Sequence, residues 1–217
     1  MSDMDTFTLL PLQIDPQTKA ISTASGSRTL QKELEALNSL HRALLGPEAT
    51  PQGVPPPPMP VNPKRTANVT KLRESGNAEQ RKGRHAEAAK LYGLGLQMAL
   101  ARPSWEPRGL VAEEVAGLYA NRAQALMALG DWPAAAVDAE ASVEAKRVAN
   151  PKAWWRRGKC LAEMGRLREA REWVRRALET EGDEPELRAL LADVEARIEK
   201  GSAEKGAAAA AGAASSS

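Results

Sequence analysis

At 217 residues and 42% apolar content, the chain can build one or two cored domains but not a large multi-domain enzyme. Its 30 basic and 28 acidic residues leave a net charge near +2, which gives no electrostatic footprint for nucleic acid. One cysteine, two histidines and no apolar run near the roughly 18 residues that span a bilayer exclude a disulfide framework, a multi-histidine metal site and a membrane-crossing helix.

The chain begins MSDMDTF, an acidic stretch without a signal-peptide profile, which fits a reducing, cytosolic setting. Residues 1–46 predict a small strand-and-helix segment. Phe7 to Ile14 is apolar and stops at Asp15-Pro16, as a strand entering a turn would, and Pro11 confines that strand to a sheet edge. Leu30, Leu34, Leu37, Leu40 and Leu44 then recur at helical spacing and stop at Gly46. So little chain supplies a thin core, so the segment either packs on the rest of the protein or docks onto a partner. The candidate partner-facing residues are Leu9, Leu12, Leu34, Leu37 and Leu44. Residues 47–66 form a proline-rich linker that includes Pro55 to Pro58, a composition that favours extended, semi-rigid chain.

Residues 67–200 read as helix throughout. The strings GNAEQRKGRHAEAAKLY, NRAQALMALGDWPAAAVDAEASV and GKCLAEMGRLREAREWVRRAL align on Gly83, Gly130 and Gly165. Each glycine is followed five residues later by an alanine (Ala88, Ala135, Ala170), where two helices of a hairpin would cross closely. Tyr92, Ala139 and Val174 lie one turn further along the same face. Asp131 and Asn150, each just before a proline-bearing helix start, are predicted caps, as is Asp183 with Glu186 three residues on. The helix after Asp183 carries Leu187, Leu190, Leu191, Val194 and Ile198 on one face and would cover the exposed end of the stack. Residues 201–217, rich in Ala, Gly and Ser, are expected to be disordered. Gly93-Leu94-Gly95 follows no strand and is not a phosphate loop. Trp154 and Trp155, being adjacent, cannot share a helix face, so one is expected in the core and the other beside the groove. No base-and-nucleophile arrangement is present, so no enzyme and no cofactor are expected.

A helix-turn-helix unit of about 34 residues with this glycine and alanine pattern resembles the tetratricopeptide repeat. The resemblance covers three units, starting near Val69, Ala116 and Pro151, and implies a mostly α, three-repeat helical solenoid with a C-terminal capping helix. The first unit departs from the pattern at Ser75, Glu79 and Gly95, and its connection to the second is about 13 residues longer than the repeat needs.

The first helix of each hairpin would face a groove. Those helices carry Arg73 and Asn77, then Asn121, then Lys152 and Arg156, and both pairs are spaced i, i+4 on one face. Asparagine is a poor helix-interior residue, so two at related groove positions point to a need for side-chain amides. Within LRESGN, YANRAQ and KAWWRRGK these five positions resemble the dicarboxylate clamp of chaperone-binding tetratricopeptide domains. That resemblance implies capture of a C-terminal Glu-Glu-Val-Asp tail through the two carboxylates of its last residue, chemistry that suits converging ammonium, guanidinium and amide groups.

The wider layout, with FTLLPLQID, LQKELEALNSLHRALL and VNPKRTANVTKLRESGN ahead of the repeats, is similar to the family of small cytosolic subunits of the fungal complex for post-translational translocation into the endoplasmic reticulum. The family implies a peripheral protein on the cytosolic face of that membrane. A membrane-anchored subunit would hold it through the N-terminal segment, and the clamp would take the tail of a seventy-kilodalton-class heat-shock chaperone. Two alternatives stay open: a soluble adaptor for the ninety-kilodalton chaperone, and a structural scaffold with no carboxylate ligand.

Overall fold

The computed structural model describes residues 10–24, 26–45 and 59–214, with side chains as far as Ala203. Leu9 and the proline run of the linker lie outside the described residues. The chain divides into two units, residues 1–62 with 103–107, and residues 63–102 with 108–217.

In the first unit, β1 (Leu12–Ile14) and β2 (Ile21–Thr23) pair antiparallel, with Leu12 opposite Thr23 and Ile14 opposite Ile21. The turn forms because Asp15 Oδ1 accepts from the backbone N–H groups of Gln17 (2.7 Å) and Thr18 (2.9 Å), a side-chain substitute for backbone turn bonds. Pro11 stands just before β1, where its missing N–H costs no ladder bond. Helix α1 (Arg28–Leu45) starts with Ser27 Oγ accepting from Leu30 N–H at 3.2 Å. Asn38 of α1 then accepts from Ile21 N–H at 2.7 Å and donates to Ile21 C=O at 2.8 Å, which ties the helix to β2. Leu34 is spent on this contact layer, 9% exposed, whereas Leu37 (45%) and Leu12 (47%) stay open to solvent and Leu44 is half-buried.

The second unit is a helical stack: α2 (Pro63–Arg81), α3 (His85–Leu100), α4 (Arg108–Ala128), α5 (Trp132–Ala145), α6 (Pro151–Glu163), α7 (Leu167–Glu181) and α8 (Pro185–Ala214). α2 begins at Pro63, inside the stretch assigned to the linker. The three hairpin turns close at Gly83 (φ 75°), Gly130 (φ 78°) and Gly165 (φ 75°), left-handed positions that a β-carbon would strain. Ala88, Ala135 and Ala170 are each 0% exposed at the crossings. Each helix packs on the next, and α2 also meets α4, α4 meets α6, and α6 meets α8. Among the described residues the outer helices α3, α5 and α7 make no such contacts with one another. The stack therefore curves with α2, α4, α6 and α8 on its inner side.

The core runs along the hairpins. Trp154 packs on Trp173 with ring centroids 4.4 Å apart, and the Trp173 indole donates to Trp154 C=O at 2.9 Å, so both large rings are buried with their N–H groups satisfied. The departures in the first repeat have local causes. Gly95 lies under Leu118 of α4, whose Cδ2 would be 2.9 Å from an added β-carbon. Glu79 binds Arg84 and Lys82 at the turn instead of packing, and its carboxyl is held down to about 2 by the Arg84 hydrogen bond first and the Lys82 bond second.

Three local expectations need correction. Asn150 stands at the start of α6, but its side chain caps nothing there; Nδ2 turns back to Ser142 C=O (3.2 Å), Ser142 Oγ (3.0 Å) and Lys146 C=O (3.0 Å), serving carbonyls at the end of α5. Asp183 pairs with Arg188 at 2.9 Å, and α8 starts two residues later at Pro185. The third concerns the tail, where α8 continues to Ala214 through residues expected to be disordered. Once a helix is nucleated, the alanines at 207–211 extend it at the lowest propensity cost of any residue. Asp131 does cap α5, accepting from Ala134 N–H at 3.2 Å.

Candidate functional site: a basic and amide-lined groove on the inner helices

The inner helices bring the candidate residues onto one surface. From α2, the Arg73 guanidinium lies against α4, with Nη1 3.6 Å from where a β-carbon on Gly117 would stand, one helical turn before Asn121. One turn along α2, Asn77 Oδ1 accepts twice, from Tyr92 O–H at 2.7 Å and from Asn121 Nδ2 at 3.0 Å. The two asparagines predicted from sequences 44 residues apart thus touch. The long connection between the first two hairpins is taken up by residues 101–107 and the 21-residue α4, which leaves the stacking of α2 on α4 intact.

The α6 pair forms the other half. Arg156 Nε donates to Gln124 Oε1 of α4 at 3.0 Å. Lys152 and Arg156 line a cavity of about 630 Å³ with Gln124, Trp155, Glu186 and Leu190. No hydrogen bond joins these two basic residues to Asn77 or Asn121 among the described residues; the halves meet through Gln124 and through Tyr92, whose phenol feels the Arg156 charge.

Several other cations of the stack are neutralised. Arg122 is bidentate on Asp138 (2.6 and 2.7 Å), Arg102 holds both oxygens of Glu114 (2.8 and 2.6 Å), and Arg157 pairs with Glu140. By contrast, among the described residues Arg73 and Lys152 have no ion pair or hydrogen bond, and Arg156 has only a neutral amide. Burial lowers the Arg156 pKa from its ordinary value, an unfavourable solvation that an arriving anion would relieve. The counterweight is Glu186, with Asp193, on the α8 wall of the cavity.

Sequence reasoning missed Tyr92, Gln124 and these α8 carboxylates. Tyr92 was legible only as a core position, although its hydroxyl, where the other hairpins have Ala139 and Val174, is a signal. Trp155 does border the groove while Trp154 is 2% exposed. Cys160 is fully buried between helices, and that burial pushes its thiol up to about 12. Among the described residues no group of His, Cys, Asp and Glu is placed to hold a metal, and no helix is long and apolar enough to cross a membrane.

Comparison with known proteins agrees with this architecture. The tetratricopeptide repeat family matches residues 126–194. The ER protein translocation subcomplex subunit sec67 of Schizosaccharomyces pombe is 38% identical over 127 residues, 58% of this chain and 66% of that relative, which is just under two thirds of its length. A chain in the structure of the Sec complex from Saccharomyces cerevisiae superposes with a TM-score of 0.71 at 23% identity, over 87% of this chain and 98% of that one. The first tetratricopeptide domain of Spaghetti (RPAP3), solved bound to the HSP90 peptide SRMEEVD, superposes with a TM-score of 0.50 at 26% identity, over 61% of this chain and 96% of that one. Residues 126–194 are thus matched to the tetratricopeptide repeat, and the chain resembles sec67 in sequence and a chain of the yeast Sec complex in fold.

Proposed function

We propose that this protein is a non-enzymatic adaptor of post-translational translocation into the endoplasmic reticulum. Its groove binds the C-terminal Glu-Glu-Val-Asp tail of a seventy-kilodalton-class cytosolic chaperone and so brings secretory precursors to the channel. Arg73, Asn77, Asn121, Lys152 and Arg156 are the peptide-binding residues. The N-terminal unit docks onto a membrane-anchored subunit, with Leu12 and Leu37 as its exposed apolar contacts, and holds the protein peripherally on the cytosolic face.

The observation that carries this reading is the set of three cations on the inner helices with no acid partner, flanking two touching asparagine amides. The stack pairs Arg122, Arg102 and Arg157 with acids, whereas these three stand on the inner helices beside the two amides, which suits an anion supplied from outside. Similarity to sec67 supports the translocation setting, and the peptide-bound RPAP3 domain supports a tail of this type. Each charge-assisted hydrogen bond contributes about 1.5–3 kcal/mol, and ordering a flexible tail costs about 2–5 kcal/mol. The net affinity should therefore fall near ~1–100 μM, weak enough for cargo release, and it should decline with salt in an open groove.

A second reading, an adaptor for the ninety-kilodalton chaperone, is favoured by the RPAP3 likeness. Calorimetric titration with the two tails decides between them. Tighter binding of the seventy-kilodalton-class peptide supports the main reading, and tighter binding of SRMEEVD favours the second. Absence of heat from both up to millimolar peptide would leave the scaffold alternative standing.

A further inference from the structure

Asn77 presents a question of amide orientation. Its Oδ1 accepts from both Tyr92 O–H and Asn121 Nδ2, which fills both lone pairs and leaves Nδ2 without a partner among the described residues. Rotating both amides by half a turn would keep two bonds: Asn77 Nδ2 could donate to the Tyr92 oxygen and to Asn121. The Tyr92 proton would then be left with no acceptor, on a residue only 1% exposed. A buried hydroxyl without a partner is the costlier state, so the phenol proton selects the first orientation.

The ring itself is seated close against α2. It lies on Gly76, the residue before Asn77, so closely that a β-carbon there would stand 2.5 Å from Tyr92 Cε1. Burial raises the phenol pKa against the opposing charges of Arg156 and Arg81, so the proton stays in place at neutral pH.

We infer that Tyr92 is a positioning residue for the groove: by donating to Asn77 Oδ1 it turns the Asn77 amide outward as a hydrogen-bond donor, so that the site accepts a carboxylate. The inference rests on the carboxylate-tail reading and adds to it the residue that sets its polarity. Tyr92 does not touch the ligand; it acts through Asn77.

The test is a double-mutant cycle on binding of a free-acid Glu-Glu-Val-Asp peptide. Tyr92→Phe keeps the ring on Gly76, so its melting temperature stays close to wild type, while affinity falls about 5- to 20-fold, of the order expected for one misoriented polar group. In an Asn77→Ala background the same change has no further effect, because there is no amide left to orient. A purely structural role for the hydroxyl would instead weaken both backgrounds equally, and that outcome overturns the inference. Tyr92→Phe binding like wild type also overturns it while leaving the clamp in place, whereas no binding by wild type rejects the clamp reading and the inference with it. Asn77→Asp is a second arm: it keeps the acceptor for Tyr92 and Asn121 but has no N–H to offer. It should abolish binding, and retained binding would refute the donor role.

Discussion

Replacing Arg156 separates binding from stability, because the structure gives the two effects opposite signs. Arg156 is half-buried, its Nε is taken by Gln124, and both Nη groups remain for a carboxylate. Two charge-assisted bonds at about 1.5–3 kcal/mol each, cut by the open solvent of the groove, leave about 2–3 kcal/mol lost in Arg156→Ala. That corresponds to a rise in Kd of about 30- to 150-fold. Arg156→Lys keeps the charge and loses the planar fork, and should cost about tenfold. The free protein carries the charge against the pull of burial, so Arg156→Ala should leave the melting temperature unchanged or slightly raised. Fluorescence anisotropy with a labelled tail and a thermal scan on the same samples read both quantities. Unchanged affinity in Arg156→Ala would refute the assignment, as would a loss of affinity that tracks a fall in melting temperature.

Three further outcomes follow from the packing. A β-carbon on Gly158 would stand 2.6 Å from Val174 Cγ2 and 3.0 Å from Leu190 Cδ2, so Gly158→Ala should destabilise by about 1–3 kcal/mol despite its better helix propensity, measured by urea denaturation. Arg102→Met leaves Glu114 half-buried without its bidentate partner and should cost about 3–5 kcal/mol, read from the same midpoints; a loss under 1 kcal/mol would show the pair to be dispensable. The Cys160 thiol, raised from 9.0 to about 12, should resist thiol reagents at pH 8 until the protein is unfolded. Because the folded pKa is the higher one, its stabilising contribution is complete below pH 9 and declines as pH rises from 9 towards 12, which stability measurements on Cys160→Ala should lack.

How legible the molecule is from its sequence varies with the range of the interaction that decides each feature. Gly83, Gly130 and Gly165 were readable because a positive φ is a single-residue demand, and Ala88, Ala135 and Ala170 because helix crossings recur at fixed spacing. Asn150 was misread as a cap because its competing acceptors, the last carbonyls of α5, are in reach only after the hairpin folds. Gly95 looked like a defect until Leu118 from the next hairpin filled its space. The tail's helix was missed because composition signals disorder, while alanine's propensity acts once α8 supplies a nucleus. Within the groove, periodicity could name five residues on three helices, yet Tyr92 bonds Asn77 across 15 residues and Gln124 bonds Arg156 across 32, which no local pattern encodes.

The most direct test of the account compares one peptide in two forms. A labelled Glu-Glu-Val-Asp peptide with a free C-terminal carboxylate should bind saturably in the micromolar range, and the same peptide amidated at its C-terminus should bind at least tenfold more weakly. Equal binding of acid and amide would contradict a carboxylate clamp on Arg73, Asn77, Asn121, Lys152 and Arg156.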